Sequence, residues 1–442
     1  MPNVGPSSES MFLALKKFLS ENDLDINNIR SQSYDNAPNM AGKFEGLQAL
    51  VRKENPLAIW VPCMGHSLNL VGVDAMNSCQ RANLFFRFLE QIYVFFTGSP
   101  DRYKRLVECL LKSSTPNNKL QVPQRVDTTR WSSRADATKA LVDAYTQILE
   151  LLLDMSSENC LALGLYLQMS HLETCLYAII WNDLLQRIDA TNKSLQNPSK
   201  DFNTAMVELL SLQEFIESKR ETFDYYESEA LKISINDTYK HMNARRPARN
   251  ARYDDGNDPD TILNERDNFK INSFLPVVDQ LLVAIKNRIK AYEESHKLFA
   301  FLKKLDSLTV DEIATAANRL CGVYTEDIDG NLKDELIQFK EVYRHFLKEK
   351  EEDISPEMFM LKLIIQKKLI QFYNVEIILR IYATILFTNC SGERAMSKLK
   401  LIKDRLCSSM TEDTLNERTV LNSEFEILEE LSPLIFQTLI FQ

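Results

Sequence analysis

The sequence predicts an α/β protein of predominantly helical content: a short mixed opening, a long helical stretch, and a closing segment. Three observations carry that fold class. Only 11 glycines and 14 prolines occur in 442 residues, which favours long helices with sparse turns over a many-stranded β protein. The two runs that read as strands, "RSQSY" and "LAIWVPC", both fall before residue 64. After Trp131, apolar residues recur at three- and four-residue spacing in block after block, the signature of amphipathic helices.

Taken in order, Ser10–Leu19 reads as a helix with Ser10 as its N-cap and Phe12, Leu15, Phe18 and Leu19 as its apolar face. "LDINNIRSQSY" is a loop running into a short strand that ends at Asp35. "GKFEGLQALVRKE" is helical, and "LAIWVPC", bounded by Pro56, suits a buried strand. From Gly65 to Leu111 the pattern is helical with a break near Gly98–Pro100, and "STPNNKLQVPQRVDTTRW" interrupts it with two prolines. "ALVDAYTQILELLLDM", "LETCLYAIIWNDLLQRI", "DFNTAMVELLSLQEFIES" and "NSFLPVVDQLLVAIKNRI" continue the helical part. Residues 243–262 mix a basic and an acidic run without periodicity and read as a linker. "NCSGERAMSKLKLIKDRL" is a helix with Met396, Leu399, Ile402 and Leu406 as its buried stripe, and an acidic-to-apolar tail follows.

Composition excludes several classes. A net charge of −10 leaves any nucleic-acid contact to a local basic surface on an acidic body. Eight scattered cysteines and an opening "MPNVGPSSES" with no apolar core are expected of a reduced, intracellular chain. No apolar run approaches the length of a spanning helix.

Four constellations carry candidate chemistry. Asp35 ends a strand, where a hard oxygen donor suits Mg²⁺ or Mn²⁺; in "YDNAPN" it is also an ordinary Asx-turn former, the commoner state on composition alone. Cys63 and His66 in "CMGH" are spaced like half of a zinc site, but no second pair follows at a usable distance, so a structural role is expected. Arg130 and Trp131 in "DTTRW" could grip a phosphate and stack a base, or equally close a helix start as a cation–π pair. Glu393 lies in the first turn of a helix carrying Lys398, Lys400, Lys403 and Arg405. It is a metal ligand beside a phosphate path or, more often, a carboxylate favoured by the helix dipole.

In this order, "QSYDNAPNMAGKFEGLQALV", "NPLAIWVPCMGHSLNLV", "DTTRWSSRADATKAL" and "SGERAMSKLKLIKDRLCSSMTEDTLNERTVL" resemble hAT-superfamily DNA transposases. The likeness is to the animal branch related to zinc finger MYM-type and TTF-type zinc finger proteins, and it runs from about residue 10 to about residue 430. It implies a partial ribonuclease H-like fold interrupted by a large all-helical insertion. The expected parts are a first core segment at 1–150, the insertion at 151–370, and a closing core segment with the hAT dimerisation region at 371–442.

In that family two aspartates and a glutamate hold two divalent metals for DNA cleavage and joining. The resemblance makes Asp35 the second aspartate and Glu393 the glutamate, with Mg²⁺ or Mn²⁺ as the ions. It matches Cys63 and His66 to a Cys-x-x-His feature, and Arg130 and Trp131 to a DNA-contacting pair. The family's first aspartate and initial core strands have no counterpart here; a genuine start and a missed upstream segment both remain open. The expectation is a transposable element-derived, catalytically inactive, nuclear protein, with no stably bound metal. Its partners would be itself (a dimer or higher oligomer), related hAT-like chains, and DNA, with no membrane. The alternative is a fragment of an active transposase.

Overall fold

The computed structural model describes residues 7–113, 120–126, 131–197, 200–239, 264–350, 354–402 and 410–423. The linker expected near 243–262 and the apolar tail from residue 424 lie outside the described residues. The fold is predominantly helical with two short parallel strands. The chain packs as two compact units: residues 1–67, 195–206 and 290–442 form one, and 68–194 with 207–289 the other. Compactness groups 68–150 with the second unit and 290–370 with the first.

The first unit opens with the helix Ser8–Glu21, capped by Ser7, whose hydroxyl accepts the Ser10 N–H at 3.2 Å. The expected cap at Ser10 is therefore corrected by one turn: Ser10 is inside the helix and its Oγ lies 2.8 Å from the Ser7 Oγ. Phe12 and Leu15 pack with Met11, Ile29, Tyr34 and Met40 on a buried cluster of Leu47, Val51 and Ala58. Phe18, expected on the same face, is instead 59% exposed.

Strand β1 (Ser31–Gln32) pairs in parallel with β2 (Ile59–Trp60), with Ser31 opposite Ile59 and Gln32 opposite Trp60. The helices Pro38–Ala41 and Leu47–Glu54 make the crossover that a parallel pair requires. Between those helices two glycines meet backbone to backbone. The Gly46 N–H donates to the Gly42 carbonyl at 3.1 Å, and a Cβ on Gly46 would stand 2.4 Å from the Gly42 nitrogen. Gln32 locks the same crossover from below, donating its amide to the carbonyls of Gln48 and Ala58.

Later parts of the first unit are tied on by polar contacts. The Arg30 guanidinium grips Asp327 with two 2.6 Å bonds. Asn374 donates to Asp329 and Glu335, while the Glu335 carboxylate accepts the N–H groups of Asn374 and Val375 at the start of the helix Tyr373–Ala383. An acceptor there satisfies otherwise orphaned donors. After that helix the chain runs without regular structure from Ile385 to Asn389 and enters the helix Cys390–Ile402. Its expected buried stripe is corrected: Met396 is 52% exposed and Leu399 and Ile402 are half-buried, while Leu406 lies outside the described residues.

One acid in this unit is buried against its preference. Glu357, 1% exposed, accepts the Asn203 amide at 2.7 Å through one oxygen, while the other has no partner among the described residues. Burial holds its carboxyl above the ordinary glutamate range. Because the folded pKa is raised, its contribution to stability is present below the ordinary value and is lost as pH rises through the folded one. Glu357→Gln should raise the melting temperature by about 2–4 °C at pH 7 and have little effect near pH 4. Equal shifts at both pH values would show that ionisation is not what burial opposes.

The regular structure of the second unit is helical among its described residues. Its core is aromatic: Trp181, fully buried, meets Phe86 edge-on at 5.0 Å, and Tyr177 stacks on Phe85 and stands edge-on to Phe269. Aromatic pairs in these geometries add to the burial of their large area.

Candidate functional site

The carboxyl ends of the two parallel strands are where open α/β sheets hold ligands, and Asp35, Cys63 and His66 lie just beyond them. Beyond the strand pair proper, backbone bonding continues to the strand ends: Ile59 N–H to Arg30 C=O, Val61 to Gln32, and Cys63 to Tyr34, at 2.9–3.1 Å. Asp35 follows Tyr34 directly. On the other side, the Met64 N–H donates to the Phe387 carbonyl at 2.8 Å, and the Asn389 N–H donates to the Cys63 sulfur at 3.3 Å. Three distant stretches, at 34–35, 63–64 and 387–389, thus meet at one edge. Glu393 is four residues past Asn389, in the first turn of the helix Cys390–Ile402. Its side chain is outside the described residues.

Asp35 is half-buried, and its Oδ1 accepts the Ala37 N–H at 3.1 Å. That is the Asx turn, present whatever else the carboxylate does. Asn36 beside it donates to the Ser67 hydroxyl at 2.8 Å, and the Tyr292 hydroxyl lies 3.1 Å from the same oxygen. Burial pushes the Tyr34 phenol up to about 12, so it stays protonated at neutral pH. Cys63 is wholly buried, and His66 sits half-buried in the first turn of the helix Met64–Met76. Asn389 leans over the start of its helix: a Cβ on Gly392 would come 2.6 Å from the Asn389 Oδ1.

Asp127–Arg130 lie outside the described residues, and so does the Trp131 side chain; only the Trp131 backbone is placed, as the first residue of the helix Trp131–Asp143. The described guanidinium nearby is that of Arg134, buried with its Cζ 5.4 Å from the Phe86 ring centre.

A divalent ion of the Mg²⁺ or Mn²⁺ kind takes several oxygen ligands, and a two-ion centre needs more than one carboxylate between the ions. Among the described residues no group of three or more His, Cys, Asp and Glu side chains could hold a metal ion. Of the two carboxylates that the resemblance assigns to such a centre, that of Asp35 is described and that of Glu393 lies outside the described residues.

With this geometry in hand, comparison with known families places the opening of the chain. Residues 4–46 match the family model described as DUF4371: ZMYM1/FAM200, RNase-like domain. The opening is similar to an RNase-like domain. The matched stretch contains β1 and Asp35, and ends just before the helix that leads to β2. No described helix is long and apolar enough to cross a membrane.

Sequence reasoning missed Asn389, Asn36, Ser67 and Tyr292. Asn389 had a local signal, being a cap-type residue directly before a helix that opens with a glycine in its first turn. The Asn36–Ser67–Tyr292 cluster had none, because its members are joined only by the tertiary fold.

Proposed function

We propose that this chain is a transposase-derived protein of the hAT type, built on a partial ribonuclease H-like core, that no longer cuts DNA and acts by associating with copies of itself or with related chains. The observation that carries this reading is the junction at the strand ends. The Tyr34 carbonyl, the Cys63 N–H and sulfur and the Asn389 N–H link the segments bearing Asp35 and Glu393, as expected if those blocks belong to one core split by a helical insertion. The RNase-like match over the segment containing Asp35 supports the same core. The loss of cleavage rests on the resemblance, in which the family's first aspartate has no counterpart among residues 1–442. Association is supported by Met396, Leu401 and Val420, exposed by 52%, 79% and 60% on the two closing helices, since monomers rarely leave large apolar surface uncovered. A helical insertion spanning 151–370, DNA contact near Arg130 and Trp131, a structural Cys63 and His66, and a nuclear location complete the proposal.

The test has two arms. With Mg²⁺ or Mn²⁺ the purified chain should nick duplex DNA no faster than its Asp35→Ala variant. By light scattering it should run as a dimer or larger, and Leu401→Asp should shift it toward monomer. Metal-dependent nicking that disappears in both Asp35→Ala and Glu393→Ala would instead favour a fragment of an active transposase. A monomer at all concentrations would remove the association half.

A further inference from the structure

The second unit carries an apolar groove between the helices Gln80–Thr97 and Cys160–Met169. One cavity, of about 620 Å³, has Val94, Gly98 and Arg102 on one side and Cys160, Leu161 and Gly164 on the other. Past Gly164 and Gln168 it runs into a second, of about 520 Å³, lined by Leu84, Leu167 and His171. Late residues of the first helix thus stand with early residues of the other, so the two are antiparallel. From Arg81 to Gly98 the groove spans about 25 Å at helical rise.

The helix "CLALGLYLQM" has apolar residues on every side, the pattern of a helix that is covered all round. Yet Leu161 and Leu167 are 70% and 53% exposed, and Val94 across the groove is 54% exposed, although side chains of this kind gain on leaving water. At Gly164 the floor is open: a Cβ there would meet nothing within 4 Å.

One charge in the groove is uncompensated. The Arg102 guanidinium lies 4.5 Å from the Phe95 ring centre, and its Nη2 is 3.4 Å from where a Cβ on Gly98 would stand. Its Nε is buried without a hydrogen bond, and among the described residues the guanidinium has no ion-pair partner. Nearby acids are engaged elsewhere. Asp154 and Glu158 flank Arg105. Glu90, in the wall of the same cavity, accepts the Val126 N–H at 3.0 Å and stands 3.8 Å from Arg125. It is also eight residues before Gly98, about 12 Å along the helix and more than a Debye length at physiological ionic strength. In the second cavity Arg81 donates to the Ser273 hydroxyl at 3.0 Å and shares the wall with Glu173, so an anionic head is favoured at the Arg102 end.

We propose that this groove binds a single-chain amphiphile with a carboxylate head. The carboxylate pairs with the Arg102 guanidinium, and the chain lies along Val94, Leu161 and Gly164 toward the second cavity. The volume is that of a small-molecule site. A guanidinium without a counter-ion in an apolar wall matches one carboxylate on an otherwise apolar body.

Cys160 is an exposed free thiol in the cavity wall, so maleimide labelling of the full chain, read peptide by peptide, reports occupancy. Dodecanoate below its micellar concentration should slow labelling of Cys160 at least tenfold and leave that of Cys321, in the first unit, unchanged. Dodecyltrimethylammonium, with the same chain and the opposite charge, should need at least tenfold more for the same protection. Arg102→Gln should raise the dodecanoate concentration for half-protection at least tenfold. Gly164→Leu adds a side chain where the fold has room and should abolish protection by filling the groove, so the test does not hang on Arg102 alone. No protection by dodecanoate, equal protection by the two head groups, or protection that survives Gly164→Leu overturns the proposal. Labelling of Cys160 that falls as protein concentration rises without ligand assigns the face to a second copy and also overturns it.

Discussion

Replacing Gly46 by alanine should cost the opening of the first unit about 3 kcal/mol, the upper end of what overpacking a closed site costs. Gly46 has an ordinary backbone conformation, with φ of −67°, so the constraint is space. The nearest atoms to an added Cβ are the Gly42 nitrogen at 2.4 Å, its carbonyl oxygen at 2.6 Å and its Cα at 2.8 Å. All are backbone, so no side chain can swing aside to relieve the contact. Relief requires parting the two helices that lead from Asp35 to β2, which also loosens Leu47 and Val51 from their cluster. Hydrogen exchange in peptides covering Leu47–Trp60 should accelerate about a hundredfold, the factor that 3 kcal/mol of local opening implies. Acceleration of less than threefold would mean that the glycine contact is not what closes the loop.

The second large effect is expected at Arg30. Its guanidinium makes both arms of a fork with Asp327, and the side chains are only 13% and 18% exposed. It also donates to the carbonyls of Asn27 and Ile29. The hydrogen bond to Asp327 holds the Arg30 pKa above its ordinary value, so the guanidinium stays charged. Arg30→Ala leaves the Asp327 carboxylate in a poorly hydrated place and frees two backbone acceptors, costing about 3 kcal/mol. Asp327→Ala should cost less, because Arg30 retains its two carbonyl partners, and adding it to Arg30→Ala should recover part of the loss. Chemical denaturation of the three variants measures all of these. Equal losses in both single variants, with no recovery in the double, would show that the pair is not coupled.

Local chemistry made much of the element order legible. The break expected near Gly98–Pro100 falls between two helices, the second of which starts at Pro100. A signal of that kind acts over four residues or fewer, within reach of a pattern. The same local reading erred at Ser10, where either of two serines one turn apart could cap the helix, and at Met396, whose spacing predicts a stripe but not which stripe meets a neighbour. At the candidate site, Asp35 was visible as a strand-ending carboxylate, and its Asx turn was foreseeable from "YDNA" because the acceptor and donor are two residues apart.

The sequence by itself determined a mostly helical chain with two short extended runs near its start, and it marked Asp35, Cys63 and His66 as polar groups at or near the ends of those runs. The tertiary structure alone decided that the runs pair in parallel, that Asn389 closes on the sulfur of Cys63, and that Arg30 finds Asp327. Those partners lie 326 and 297 positions apart. The physical reason is range: turn, cap and periodicity preferences are set by neighbours in the chain. Which distant donor meets which acceptor is set by how the packed apolar faces bring the elements together.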